Sequence, residues 1–211
     1  IASYATFGDT REGTAALRYF DNGGTMKGLG ALPTTLLSDT HFDSRSGRLG
    51  RLAAAMRDLN IRLGLGVDEN TGALVDTATN VVKVFGGGSL IVVDSNAATV
   101  QAATTYKVTN LRVSLLTSGD SFNTSTKTVT STKSLIGTRY YSGYYDSTNI
   151  FGALETSKSL TRVVDQSSTA NVGSAPRPVY STGPNYPTSA PTLKVRFTRD
   201  ASSKGYYSGG K

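Results

Sequence analysis

The chain has 211 residues, enough for one domain of ordinary size or one domain with an appendage, and carries a net charge of +7 with no cysteine and one histidine. The missing cysteines exclude disulfides and thiolate metal sites, and with a single histidine no zinc site, and no other metal or cofactor, is expected. No apolar run reaches 18 residues, so no membrane span is expected, and the basic residues are dispersed rather than blocked, which reads as an ordinary basic surface and not a nucleic-acid interface.

The first residue is Ile1, and nothing in the sequence resembles a signal peptide, so the expectation is a processed product or a piece of a longer polypeptide. Residues Ile1 to Phe7 read as the tail of a short helix stopped at Gly8. Thr10 to Phe20 reads as helical or irregular, and Asp21-Asn22-Gly23-Gly24 is a turn signal. Leu36 and Leu37 belong to a short strand that delivers Asp39 and His41 to its carboxyl end, the edge where ligand sites form in open α/β sheets.

Ser46 to Asn60 is the clearest helix: Leu49, Leu52, Ala53, Met56 and Leu59 recur at three- and four-residue intervals as one apolar stripe. Ile61 to Val67 follows as a strand in which Gly64 and Gly66 alternate, freeing one face for close approach, and Asp68 and Glu69 stand at its end. Thr71 to Asp76, Asn80 to Phe85 and Ser89 to Asp94 read as strands broken at Gly86-Gly87-Gly88. Tyr106 to Leu116 is one further strand. Beyond Asp120 no helical pattern returns. Serine, threonine and tyrosine dominate segments such as Thr126 to Thr130 and Thr138 to Tyr141, a Pro/Ser-rich run covers Ser174 to Pro191, and Thr192 to Thr198 is a last strand. This second stretch is weakly apolar for a free-standing domain, so it is expected to dock on the first or on other copies of the chain.

His41 is the side chain suited to proton transfer near neutral pH. Around it stand Asp39-x-His41-Phe42, then Arg45, Arg48 and Arg51 at a regular spacing, then Leu63-Gly64-Leu65-Gly66-Val67-Asp68-Glu69-Asn70-Thr71, with Gly28-Leu29-Gly30-Ala31-Leu32-Pro33 as a lead-in. Taken in this order, these motifs resemble the C-terminal half of the cyanophycinases, serine peptidases of the dipeptidase E family. The resemblance covers roughly residues 1 to 120.

The resemblance implies an α/β fold: the C-terminal half of a flavodoxin-like three-layer peptidase in 1–120, followed by a β-rich Ser/Thr/Tyr-rich extension in 121–211. It implies His41 as the base and Glu69 as the acid that orients it, acting on a serine nucleophile. It also implies that Asp39, Arg45, Arg48 and Arg51 bind a peptide substrate containing a β-aspartyl-arginine unit, arginine suiting carboxylates through its planar fork. The sequence departs from the family in three places. Thr40 replaces a glutamine, the arginine run is one residue longer at Ser46-Gly47, and no nucleophile elbow of the Gly-x-Ser-x-Gly kind occurs in the chain. The nucleophile is therefore expected on an N-terminal companion chain. The alternative is a catalytically silent, exported protein that builds an extracellular homo-oligomer or filament. If the resemblance is accidental, the chain is a β-rich binding module.

Overall fold

The computed structural model describes residues 4–5, 30–44, 48–102, 106–136, 152–165, 179–180, 194–200 and 202–208. Its centre is a five-stranded sheet in the order β1 (Tyr4–Ala5), β2 (Leu36–Thr40), β3 (Leu63–Val67), β6 (Ser89–Asp94), β9 (Arg112–Thr117). β1, β2 and β3 run parallel, whereas β6 and β9 pair antiparallel. Parallel neighbours need a crossover, and helix α1 (Leu49–Asp58) supplies it between β2 and β3.

Between β3 and β6 the chain leaves this sheet as a hairpin of β4 (Thr71–Asp76) and β5 (Val81–Gly86). With β10 (Asp120–Asn123) and β11 (Thr128–Ser131) the hairpin forms a second sheet in the order β11-β10-β5-β4. The remaining described elements are β7 (Thr99–Ala102), paired with β8 (Tyr106–Thr109); β12 (Ser134–Leu135), paired with β15 (Tyr206–Tyr207); helix α2 (Glu155–Asp165); and β13 (Val179–Tyr180), paired with β14 (Lys194–Val195).

Side chains alternate across a strand, so β2, β3, β6 and β9 of the main sheet each face two cores. On one face Leu37, Ile91 and Val93 meet Leu52, Ala55 and Met56 of α1, together with Val163 of α2 and Phe197. On the other, Leu36, Leu63, Leu65, Leu90, Val92 and Leu116 meet Val82, Val84 and Phe122 of the second sheet. Every residue of β6 is buried, which is why Leu90 to Val93 is an unbroken apolar run rather than an alternating one. Each fully buried aliphatic or aromatic side chain here contributes roughly 1.5–3 kcal/mol. Gly64 and Gly66 point to the helix face. A Cβ on Gly64 would stand 2.6 Å from Met56 Sδ, and one on Gly66 would collide with the Phe42 ring. The alternating glycines thus let α1 and Phe42 lie directly on the sheet.

The architecture is mixed α/β with mostly strands and few helices. It departs from the expected elements in four places. Tyr4–Ala5 is a strand, not a helix tail, because it finds the parallel edge of β2. The expected strand from Tyr106 to Leu116 is two strands, broken at Asn110, which takes the left-handed conformation (φ 61°) that asparagine tolerates better than most residues. α2 is a helix where none was expected. Of the strand expected over Thr192 to Thr198, Lys194–Val195 is strand and Arg196 and Phe197 are not, while Thr192 and Leu193 lie outside the described residues. The expected division at residue 120 falls at β10, which pairs with β5 of the first part, and Val163 and Phe197 of the second part sit in the first part's core. The readings of Thr10 to Phe20, Asp21 to Gly24 and Thr138 to Tyr141 lie outside the described residues, as does most of Ser174 to Pro191. No helix among the described residues is long and apolar enough to cross a membrane.

Candidate active site

β2 and β3 end side by side, with Thr40 paired to Val67, so the residues that follow them leave the sheet together. His41 takes a left-handed backbone (φ 50°), a conformation costly for a non-glycine residue that turns the chain sharply at the strand end. Phe42 then drops into the core over Gly66, fully buried, while the imidazole stays on the surface. From the neighbouring strand end Glu69 reaches across, and its Oε1 lies 2.9 Å from His41 Nδ1, with side-chain exposures of 51% for His41 and 39% for Glu69. A pair this exposed adds only about 0–1 kcal/mol to stability, so its consequence is chemical rather than structural. With the carboxylate as acceptor, Nδ1 carries the proton and the lone pair of Nε2 is left for a second partner.

Two sets of contacts fix the main chain beneath the pair. On the Glu69 side, Asp68 is buried and its Oδ1 accepts the amides of Asp43 at 3.2 Å and Ser44 at 2.8 Å, tying the histidine loop to the glutamate loop. Thr71 Oγ1 donates to the Glu69 carbonyl at 3.0 Å, and the Gly87 amide donates to the Asn70 carbonyl at 2.8 Å. Gly86 stands at φ 105°, and a Cβ on Gly88 would come 2.5 Å from the Glu69 carbonyl oxygen. The triple glycine is thus the cradle of the glutamate loop, beyond its part as a break between strands.

On the β2 side, Asp39 faces α1. Arg51 grips it with a fork, Nε to Oδ2 at 2.7 Å and Nη2 to Oδ1 at 2.5 Å, both side chains being buried. Arg48 Nη1 stands 3.7 Å from Asp39 Oδ1 and donates at 2.5 Å to the carbonyl of Thr40, the residue before His41. The structure therefore brings His41 and Glu69 together at the surface and gathers Asp39, Arg48 and Arg51 below them, engaged with one another and with the backbone. Arg45 lies outside the described residues.

The sequence reading placed Asp68 at a strand end but gave no role to it or to Asp43. Both stand beside the residues it named, and the available signal was their acidity in a stretch that leads into the core. Asp43 is wholly buried; burial pushes its carboxyl above the ordinary value of 3.8, and hydrogen bonds from Ser157 and Thr156 pull it back. Among the described residues no group of three or more histidines and acids is placed to hold a metal ion.

No protein-family model matches the chain. Among curated proteins it is similar to the cyanophycinase of Synechococcus elongatus, 38% identical over 108 residues that make up 48% of this chain and 33% of that protein. It is also similar to the cyanophycinase of a Nostoc species, 37% identical over 108 residues (48% of this chain, 35% of that protein). The cyanophycinase of Geminocystis herdmanii is 34% identical over 105 residues (47% and 38%). The chain thus spans about a third of the length of the curated relatives it matches. Identity of this order over more than a hundred residues supports a cyanophycinase-like relationship over about half of this chain.

Proposed function

We propose that the chain supplies the general base and its orienting acid to a cyanophycinase-like serine peptidase. The observation that carries this reading is the His41–Glu69 pair, joined at 2.9 Å, solvent-facing, and held at two parallel strand ends. In this reading the nucleophile is a serine on polypeptide beyond these 211 residues, since no Gly-x-Ser-x-Gly elbow occurs within them. His41 Nε2 takes the serine Oγ proton as Oγ attacks the peptide carbonyl. Glu69, accepting from Nδ1–H, holds the tautomer and stabilises the imidazolium. The imidazolium then gives that proton to the leaving amine, and water repeats the sequence on the acyl-enzyme. The proposed substrate class is a β-aspartyl peptide carrying arginine, with the layers of a flavodoxin-like peptidase completed outside this chain.

Within this scheme Asp39, Arg48 and Arg51 act from beneath. A buried bidentate pair stiffens the end of β2, and Arg48 holds the carbonyl next to His41. Arg45 remains the proposed substrate contact of the arginine run. The test is hydrolysis of a β-aspartyl-arginine dipeptide by native material together with the polypeptide that carries the serine. His41→Ala should lower kcat by on the order of 10⁴ or more, and Glu69→Gln by about 10²–10⁴. Turnover that survives His41→Ala overturns the reading.

A second reading, a silent site in an exported assembly protein, draws on one observation. Leu74 on edge strand β4 and Phe85 on β5 are 59% and 55% exposed, on one outer sheet face. No hydrolysis by native material that sediments as a large particle of this chain alone would favour it.

A further inference from the structure

Helix α2 has a beginning that its own sequence does not explain. The first amides of a helix have no intrahelical acceptor and are normally met by a polar side chain just before the first turn. Here that position holds Leu154, which stands at φ 62° and has no side-chain oxygen to offer. The acceptor comes from 113 residues earlier. Asp43 Oδ1 accepts the amide of Thr156 at 3.1 Å, its Oδ2 accepts the amide of Ser157 at 2.7 Å, and its carbonyl accepts the amide of Leu154 at 2.6 Å. A carboxylate also suits the positive end of the helix dipole.

Asp43 is two residues past His41. Its own amide is one of the two that Asp68 holds, and the residue between, Phe42, is wedged over Gly66. The main chain from His41 to Ser44 is therefore fixed at three points: a ring on the sheet, amides on Asp68, and a carboxylate on α2. The first two belong to the framework that carries Glu69. The third belongs to a helix from the far part of the chain, whose Val163 is buried in the same core.

We propose that Asp43 is a positioning residue for His41: by capping α2 it makes that helix part of the support of the histidine loop, so the hold of the imidazole on Glu69 depends on α2 being docked. The catalytic consequence rests on the reading of His41 as a base, but the coupling itself is tested without turnover.

His41 is the only histidine in the chain, so its imidazole ¹⁵N signals are assigned by composition alone. The full chain is studied in solution alkaline enough for a neutral ring, with the share of the Nδ1-protonated tautomer as the first readout and amide exchange at Thr156 and Ser157 as the second. Glu69→Ala sets the tautomer share of an unheld ring. Asp43→Ala should accelerate exchange at both amides at least tenfold and move the tautomer share most of the way to the Glu69→Ala value. Asp43→Asn, which keeps one carbonyl acceptor, should fall between. Phe122→Leu, which loosens the opposite core, should leave the tautomer where it is, whereas a merely structural role for Asp43 would not distinguish these variants. The proposal is overturned if exchange is unchanged, if exchange rises while the tautomer share stays put, or if Phe122→Leu shifts the share equally. Should Asp43→Ala not fold, Asp43→Asn decides on the same criteria. Absent peptidase activity with the tautomer result intact would reject the proposed function and leave the coupling standing.

Discussion

The segment from β2 to β6 and the segment that contains α2 and Phe197 lie against the same core but are built on different terms. The first is locally self-consistent. β6 carries a continuous apolar run, the helix has a stripe of Leu49, Leu52 and Met56 that matches its period, and glycines of β3 stand where that helix must come close. The second is held together from outside. α2 buries Thr156 and Ser159 beside Val163, takes its cap from Asp43, and is followed among the described residues only by strands of two residues. The difference teaches that burial does not require a local apolar signal when distant groups supply the missing interactions.

The sharpest way to break this contrast is to remove one large side chain from each segment. Phe42→Ala and Phe197→Ala should each cost about 3–5 kcal/mol if both rings belong to one cooperative core, read as shifts in a single denaturant transition. A cost below about 1 kcal/mol for Phe197→Ala, or two separate transitions, would show that the far segment folds apart from the first.

A smaller effect tests whether the buried polar face of α2 is a cost. Ser159 is wholly buried and its hydroxyl has no hydrogen-bond partner among the described residues. Ser159→Ala should therefore be neutral or stabilising by roughly 1 kcal/mol in chemical denaturation, since an unpaired buried hydroxyl carries a desolvation penalty. A loss of that size instead would mean the hydroxyl is satisfied.

The smallest effect is a pair of opposed pH slopes. Asp76 closes the β4–β5 turn, where hydrogen bonds from Thr79 and the Ala78 amide hold its carboxyl below 3.8; its contribution is present above that value and is lost as pH falls through the lowered one. Asp43, raised chiefly by burial, has the reverse sign: the native state keeps the proton longer, so its contribution falls as pH rises from 3.8 through the raised value. Stability against pH in the acid range should lose one slope in Asp76→Asn and the opposite slope in Asp43→Asn, constant offsets aside. Slopes of the same sign would contradict the burial of Asp43.

Much of the candidate site was legible because its residues sit at strand ends. The apolar pair Leu36 and Leu37 and the alternating glycines of Leu63–Val67 locate β2 and β3, and parallel pairing of these strands then brings His41 and Glu69 together across 28 residues. The fate of the arginines was not legible. A run of arginines beside an aspartate reads equally as a ligand pocket or as an internal fork, and only the orientation of α1 against β2 turns Arg51 onto Asp39 rather than outward.

By itself the sequence determined strands β2, β3 and β6 of the main sheet, helix α1, the close-approach glycines and the placement of the histidine and glutamate at strand ends. These follow from periodicity and from residue types that act within a few positions. Tertiary structure alone decided that α2 exists and is capped by Asp43, that β10 and β11 complete a sheet begun by the β4–β5 hairpin, and that Asp39 is spent on Arg51. Each of these depends on a donor and an acceptor, or two strand edges, separated by a dozen to more than a hundred residues, and local pattern carries no information about which distant group will meet a buried polar atom.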